Sequence, residues 1–289
     1  MRRNVPGHFV DSPSAWRRLA AATWRPGNDP TIYGTLEVDA TRALEYLGRL
    51  SARSQQHVTI THLVVKAIAL TLARHPHCNA FVRRHRFYQR DDVDVFVLVA
   101  VAPAPEESTS DAGADLTGVK VEQADRKSVL EIASEMQRRV QGVRSGSDRD
   151  FSRIKSLLEV VPPWLLGPVL KLVSFAQYDL NIDLSALGVP RDSFGSVFVT
   201  NVGALGLGHA FAPIVPFTRL SVNVAVGRIK DGPCVENGQL VVRPLLPLTA
   251  TFDHRVIDGY QAAGLSDTFC EIMRDPARHL EMPDGKSLQ

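Results

Sequence analysis

The chain has 289 residues, 44% of them apolar and 22% charged, with 33 basic against 31 acidic side chains and a formal charge of +2. That is ordinary globular composition, enough for one large domain or two small ones. The balance of charge gives no general field for nucleic acid or an anionic membrane, so neither partner is expected.

In chain order, the opening stretch MRRNVPGHFVDSPSAWRR begins basic but has no apolar core segment, so it does not read as a secretory leader. A short helix is expected over Ser14–Trp24, capped by Ser12 or Ser14. Thr31–Asp39 alternates and is β-branched, which predicts a strand. Asp39 or Thr41 can cap a helix over Thr41–Ser54. Thr59–Arg74 carries Ile60, Leu63, Val64, Ala67 and Ile68 at helical spacing, with Thr59 or Thr61 at its start. Ala80–Tyr88 and Asp92–Val101 read as two strands, the second apolar enough to be covered on both faces. Ala102–Gly118 is a Pro-, Ser- and Asp-rich loop, overlapping a short strand at Leu116–Val121. Ser128–Val140 predicts an amphipathic helix with Ser128 and Glu131 as a capping box.

Phe151–Pro190 is apolar and helix-like but broken by Pro162, Pro163, Gly167 and Pro168, and its longest apolar run is too short to cross a bilayer. Ser196–Asn201, Leu220–Gly227 and Gln239–Pro247 read as strands, and Gln261–Arg274 as a last helix stopped by Asp275 and Pro276. Helices on an open mixed sheet make an α/β layer architecture. Cys78, Cys234 and Cys270 lie far apart with no C-x-x-C pair, so reduced core thiols and a cytoplasmic setting are expected.

Between the last strand and the last helix runs TFDHRVIDG, Thr251 to Gly259. It places His254 at a strand end, where a side chain can reach a cleft, with Asp253 before it and Asp258 four residues on. A neutral imidazole of pKa near ~6.5 can take a proton from a thiol or hydroxyl. Gly259 permits a positive φ or a close backbone approach. Other readings compete. A lone histidine at a strand end is more often a satisfied structural residue. Asp253, His254 and Asp258 could hold a metal, but no second histidine lies near. A Ser-His-Asp triad lacks its G-x-S-x-G elbow. By themselves these residues make His254 a candidate and no more.

DHRVIDG resembles the DHRxxDG motif of the catalytic domain of dihydrolipoyl acyltransferases, the cores of 2-oxo acid dehydrogenase complexes, whose fold is shared with chloramphenicol acetyltransferase. Five further segments resemble that family in order. Pro30–Asp39 is similar to its first strand. Thr61–Leu70, with His75, Pro76, Asn79 and Ala80, is similar to its first long helix and the turn after it. Ala124 and Asp125 with Leu130–Ala133 resemble its next helix start, and Asp275 with Pro276 its terminal stop. Val199–Gly203 (VTNVG), followed by Ala212–Ile214, resembles its T-I-S-N-L-G segment. The resemblance spans about residues 14–283.

The resemblance implies an α/β, chloramphenicol acetyltransferase-like fold, a two-layer mixed sheet with helices, assembled as a homotrimer. It implies acyl transfer through a ternary complex without a covalent acyl-enzyme. Carried over, His254 is the general base for an acceptor attacking a thioester carbonyl, and Thr200 is the oxyanion donor. Asp258 would pair with an N-terminal arginine, Arg17, Arg18 or Arg25, and Asp258, Gly259, Asn201, Gly203 and Arg255 would support the site. Coenzyme A or acyl-CoA is implied as substrate, a lipoyl group only if another protein supplies it, and no metal. The site is implied to lie between subunits, with His254 and Thr200 from different chains.

The sequence departs from the family in several places. Residues 1–289 read as a single catalytic domain without a lipoyl or peripheral-subunit-binding domain. About 157–190 is an apolar insertion, read as a flap on the core, a partner or trimer contact, or a wall for a long acyl chain. The polar tail Met282–Gln289 lacks an apolar anchor, which predicts a free trimer, and Ala102–Asp115 is long and acidic. Arg83, Arg84, His85, Arg86 and Arg90 read as the solvated face of a hairpin balanced by Asp91, Asp92 and Asp94, or as an attractor for coenzyme A phosphates. The reading is a free-standing acyltransferase moving an acyl group between a CoA or lipoyl thioester and a thiol, hydroxyl or amine. Its alternatives are a small-molecule acetyltransferase outside dehydrogenase complexes and a non-catalytic scaffold recruiting a dehydrogenase or lipoyl-bearing partner.

Overall fold

The computed structural model describes residues 4–9, 29–101, 115–144 and 163–280. In chain order the strands are β1 (Gly7–Phe9), β2 (Thr31–Asp39), β3 (Ala80–Arg83), β4 (Arg86–Arg90), β5 (Val95–Val101), β6 (Asp115–Val121), β7 (Val197–Asn201), β8 (Val222–Val226), β9 (Lys230–Glu236) and β10 (Gln239–Asp253). The helices are α1 (Thr41–Ser54), α2 (Ile60–Arg74), α3 (Val129–Arg144), α4 (Pro163–Ser174), α5 (Gly259–Arg274) and α6 (Pro276–His279). The main sheet has the order β2-β10-β8-β7-β5-β6, with β9 paired to the first half of β10. β7 is parallel to β5 and β8, and the other pairings are antiparallel. The expected mixed sheet is therefore present, and β1-β4-β3 form a second, smaller one.

Alternation along the strands gives the sheet two different faces. One carries Val95, Val97, Val197, Val199 and Val222, all buried in the core beneath the helices. α2 is buried almost all round, through Leu63, Val64, Val65, Ala67 and Ala69, so it is a central helix and not a half-exposed one. Its start is fixed by a capping box in which Thr59 caps and the His62 ring takes the Thr59 N–H at 3.0 Å. The other face carries Thr200, Asn223, Thr249 and the stacked rings of Phe96 and Phe198. The segment after β7 lies over it. The Thr249 hydroxyl donates to the Ala210 carbonyl, and Asn223 Nδ2 donates to the Pro213 carbonyl at 2.7 Å.

Three expectations need correction. Ala80–Tyr88 is not one strand. It folds back at Arg84 and His85, which take φ of 47° and 61° and make a tight hairpin turn. Gln239–Pro247 does not end at Pro247, because β10 continues unbroken to Asp253 and carries the motif's start. The basic run is not a uniformly solvated face. Arg84, His85 and Arg86 are exposed, but Arg90 is buried, pairs with Asp192 at 3.2 Å and lies over the Phe81 ring. Tyr178, whose phenol is pushed well above its usual range by burial, donates to the same Asp192 at 3.1 Å.

The 163–190 segment opens as α4, with Pro163 at its first position and Pro168 tolerated inside it. A π-turn at Phe175–Asp179 follows, and Gln177, Tyr178 and Asp179 are buried. Arg219 grips Asp179 at 2.7 Å, so the end of the segment is fastened to the body of the protein. Leu172 and Phe175 are exposed. The helix expected at 14–24, residues 102–114 of the loop expected at 102–118, residues 151–162 of the apolar segment and the tail at 282–289 lie outside the described residues, while 115–118 of that loop belong to β6. No disulfide joins Cys78, which is buried, to Cys234 or Cys270, which are half-buried. Among the described residues no helix is long and apolar enough to cross a membrane.

Candidate active site

β10, paired on both sides by β2 and β8, carries the motif to one end of the sheet's strands. The Asp253 N–H bonds the Ser221 carbonyl of the strand-leading segment beside it, and the His254 N–H bonds the Pro30 carbonyl. The chain then turns, with the N–H groups of Val256 and Ile257 both on the Asp253 carbonyl at 2.9 Å. Val256 and Ile257 are fully buried, which anchors the turn in the core. His254 remains half-buried, and its Nδ1 lies 3.2 Å from the Ile257 carbonyl oxygen. A carbonyl oxygen only accepts, so that bond requires the proton on Nδ1 and leaves the lone pair on Nε2.

Both acids of the motif are engaged elsewhere. Arg255 clasps Asp253 with two groups, Nη2 at 2.6 Å and Nε at 2.9 Å. Asp258 caps α5, accepting from the N–H groups of Tyr260 at 2.9 Å and Gln261 at 3.1 Å, while the Gln261 side chain takes the Asp258 N–H at 2.8 Å. The arginines named for Asp258, Arg17, Arg18 and Arg25, lie outside the described residues. Gly259 begins α5 without a positive φ, and a Cβ there would meet nothing within 4 Å. The freedom expected of this glycine is thus not used by the backbone.

Thr200 sits on β7, half-buried, level with Leu98 of β5 and Ala225 of β8. Asn201 bonds the Thr61 hydroxyl at 2.8 Å and accepts the Ala204 N–H at 3.0 Å, so it ties the turn after β7 to the start of α2. A Cβ on Gly203 would fall 2.6 Å from the Gly227 backbone, and one on Gly227 only 1.8 Å from the Gly208 oxygen. These glycines let three backbones meet beside Thr200. The Thr61 contact was not foreseen; its only signal was a hydroxyl at a predicted helix start.

The register separates the two principal candidates. Thr200 is level with Ala225 and hence with Thr249 of β10, whereas His254 lies five residues further along that strand. At ~3.4 Å per residue, with two strand spacings of ~4.8 Å across, the two are about 20 Å apart in one chain. A single chain brings together His254, Asp253, Arg255 and Asp258, and separately Thr200, Asn201 and Gly203. Among the described residues no three His, Cys, Asp or Glu side chains converge to hold a metal.

The sequence matches the family of 2-oxoacid dehydrogenases acyltransferase (catalytic domain) over residues 19–150 and 190–281, well over half of the chain. The chain belongs to this family. The match leaves 151–189 between its two parts. A relative within the family, the dihydrolipoyllysine-residue acetyltransferase component of the pyruvate dehydrogenase complex of Bacillus subtilis, is 24% identical over 83% of this chain and 44% of its own length. The acetyltransferase component of the acetoin cleaving system of the same organism is 24% identical over 90% of this chain and 54% of its own length. The chain thus spans about half, or less, of these proteins. A probable dihydrolipoamide acetyltransferase from Listeria monocytogenes superposes with a TM-score of 0.62 at 17% identity, covering 92% of this chain and 94% of that one. The Azotobacter vinelandii dihydrolipoamide acetyltransferase gives 0.62 at 18%, covering 94% and 93%. At these identities the likeness is one of fold, and it bears out the expected α/β acyltransferase architecture.

Proposed function

We propose that the chain transfers an acyl group between coenzyme A and a second thiol, with His254 as general base and Thr200 of another copy as oxyanion donor. The observation that carries this is the His254 ring, set by the Ile257 carbonyl so that Nε2 is the basic nitrogen. Nε2 takes the proton of the attacking thiol, and the sulfur adds to the thioester carbonyl. The oxyanion that forms accepts a hydrogen bond from the Thr200 hydroxyl. Collapse expels the other thiolate, which recovers the proton from the imidazolium. No covalent acyl-enzyme is needed. Asp258 holds the start of α5 through its cap, and Arg255 neutralises Asp253.

The separation of about 20 Å between His254 and Thr200 along the strand register supports a site made by two copies, and a homotrimer satisfies it. The relatives' names point to a dihydrolipoyl group as the second thiol, carried by a lipoyl-bearing partner, and to service within a dehydrogenase complex. Three thiols outside any disulfide accord with a cytoplasmic setting.

The test is turnover of a panel of acyl-CoAs with dihydrolipoamide. His254→Ala should lower the rate by ~10²–10⁴ and Thr200→Val by ~10²–10³, while Thr200→Ser stays active. Co-expressing the two inactive variants should restore activity, because some interfaces then hold both native residues. An unaffected His254→Ala rate, or no turnover of any acyl-CoA, refutes the proposal; failure of the mixture refutes the shared site.

A further inference from the structure

The helix layer does not close completely over the sheet. A cavity of about 210 Å³ lies on the helix face of the sheet, between β2, β10 and β8 on one side and α2 and α5 on the other. Its origin is legible in the register. Gly34, Ala250 and Val224 stand side by side on three adjacent strands, and α5 brings Ala262 and Ala263 over them. Four of these five positions carry a methyl or nothing, while the surrounding wall is Leu36, Leu72, Phe252 and Phe269. The recess opens to the surface at Thr35 and Ala263, which are exposed.

The wall is mostly apolar, with the hydroxyl residues Thr35, Thr71, Thr249 and Ser266 among its lining. The Thr71 hydroxyl is bonded to the Ala67 carbonyl at 2.8 Å, and that of Thr249 to the Ala210 carbonyl, so neither offers an unmet polar group. An apolar cavity of ~150 Å³ is known to stay dry and take benzene, so this one has room for about six to eight carbons. One end of it is Phe252, two residues before His254 and hence about 7 Å away along the strand. The Ala262 N–H bonds the Asp258 carbonyl at 2.9 Å, which joins the same end to the turn that holds His254. None of its lining residues comes from the 163–190 segment, where a wall for a long acyl chain was one of the expectations.

We propose that this cavity receives the hydrocarbon tail of the transferred acyl group, and that the chain accepts medium-length acyl groups beyond acetyl. This rests on acyl transfer at His254. The thioester carbonyl stays at the turn, and the tail runs between α5 and the sheet past Phe252 toward Phe269.

The test uses the full chain, acyl-CoAs from acetyl to decanoyl, and two variants that fill the void, Ala262→Leu and Ala263→Val. The expected result is that filling lowers the octanoyl-to-acetyl ratio of kcat/KM by at least about tenfold, without lowering the melting temperature. A folded variant with an unchanged ratio overturns the proposal. If one variant does not fold, the other decides. If no acyl-CoA turns over at all, the reading of the reaction has failed, and binding then decides the pocket alone. Octanoate should raise the melting temperature of the unmodified chain and not that of the filled variant. Absence of that difference overturns the pocket, whatever the fate of the reaction.

Discussion

His62 occupies the third position of α2, where its Nδ1 takes the Thr59 N–H at 3.0 Å and completes the capping box. Burial, and then the neighbouring His57, lower its pKa from the ordinary 6.5 to about 4. A protonated ring has no lone pair for the Thr59 N–H, so the cap and the low pKa demand the same neutral form. The unfolded chain recovers the ordinary value and binds a proton that the folded chain refuses. The sign follows directly. His62 costs nothing above pH 6.5, and stability falls as the pH drops from there toward 4, because the unfolded state binds more protons. At about 1.4 kcal/mol for each pH unit, the loss is about 2 kcal/mol at pH 5 and about 3 kcal/mol at pH 4. His62→Gln keeps an acceptor suited to the third position of a capping box and removes the titration. Urea unfolding of both proteins at matched concentration, at pH 7.5 and pH 5, isolates the effect, since other titrating groups cancel in the comparison. The unmodified chain should lose about 2 kcal/mol more than the variant on acidification. Parallel pH profiles, differing by less than about 0.5 kcal/mol, would refute the reasoning.

Three further outcomes follow from the contacts. Asp258→Ala should cost about 1 kcal/mol through the lost α5 cap, seen as a lower melting temperature, while Asp258→Asn keeps both cap and rate; a large rate loss in the asparagine variant would instead make Asp258 a charge partner of His254. Gly227→Ala drives a methyl into the Gly208 carbonyl and should destabilise by about 1–3 kcal/mol in urea unfolding. Asp192→Ala strands the Arg90 guanidinium, whose side chain is 3% exposed, and should cost about 3–5 kcal/mol, part of it recovered by adding Arg90→Met.

Much of the fold was legible because the local signals were strong. Thr31–Asp39, Thr41–Ser54 and the Ser128–Glu131 box sit as the sequence predicts. The misses have physical reasons. β9 contains Gly232 and Pro233, which read as a loop, although the Asn237 and Gly238 turn behind it, with φ of 50° and 78°, is a hairpin signal. The turn at Arg84 and His85 lacks the Asn-Gly or Asp-Gly pair that marks such hairpins, and arginine does not favour positive φ. In the site, Asp258 was expected to pair with an N-terminal arginine, and the arginines named for it lie outside the described residues. The pattern Asp258, then Gln261 three residues later, already spelled a capping box. The division of Thr200 and His254 between opposite ends of the sheet could not be read from sequence, since it depends on the pairing register of three strands.

β10 has one more consequence. Its residues Leu248–Phe252 are flanked on both sides, by β2 and β8, whereas among the described residues Gln239–Pro244 pair with β9 alone. A two-stranded ribbon is marginally stable on its own, and this one leaves Val235, Leu240 and Val242 exposed. One continuous strand therefore passes from the most readily opened backbone to the most firmly held. Deuterium uptake should be fast at its start and slowest just before His254. His254 hangs from the slow end of that gradient, where the scaffold breathes least.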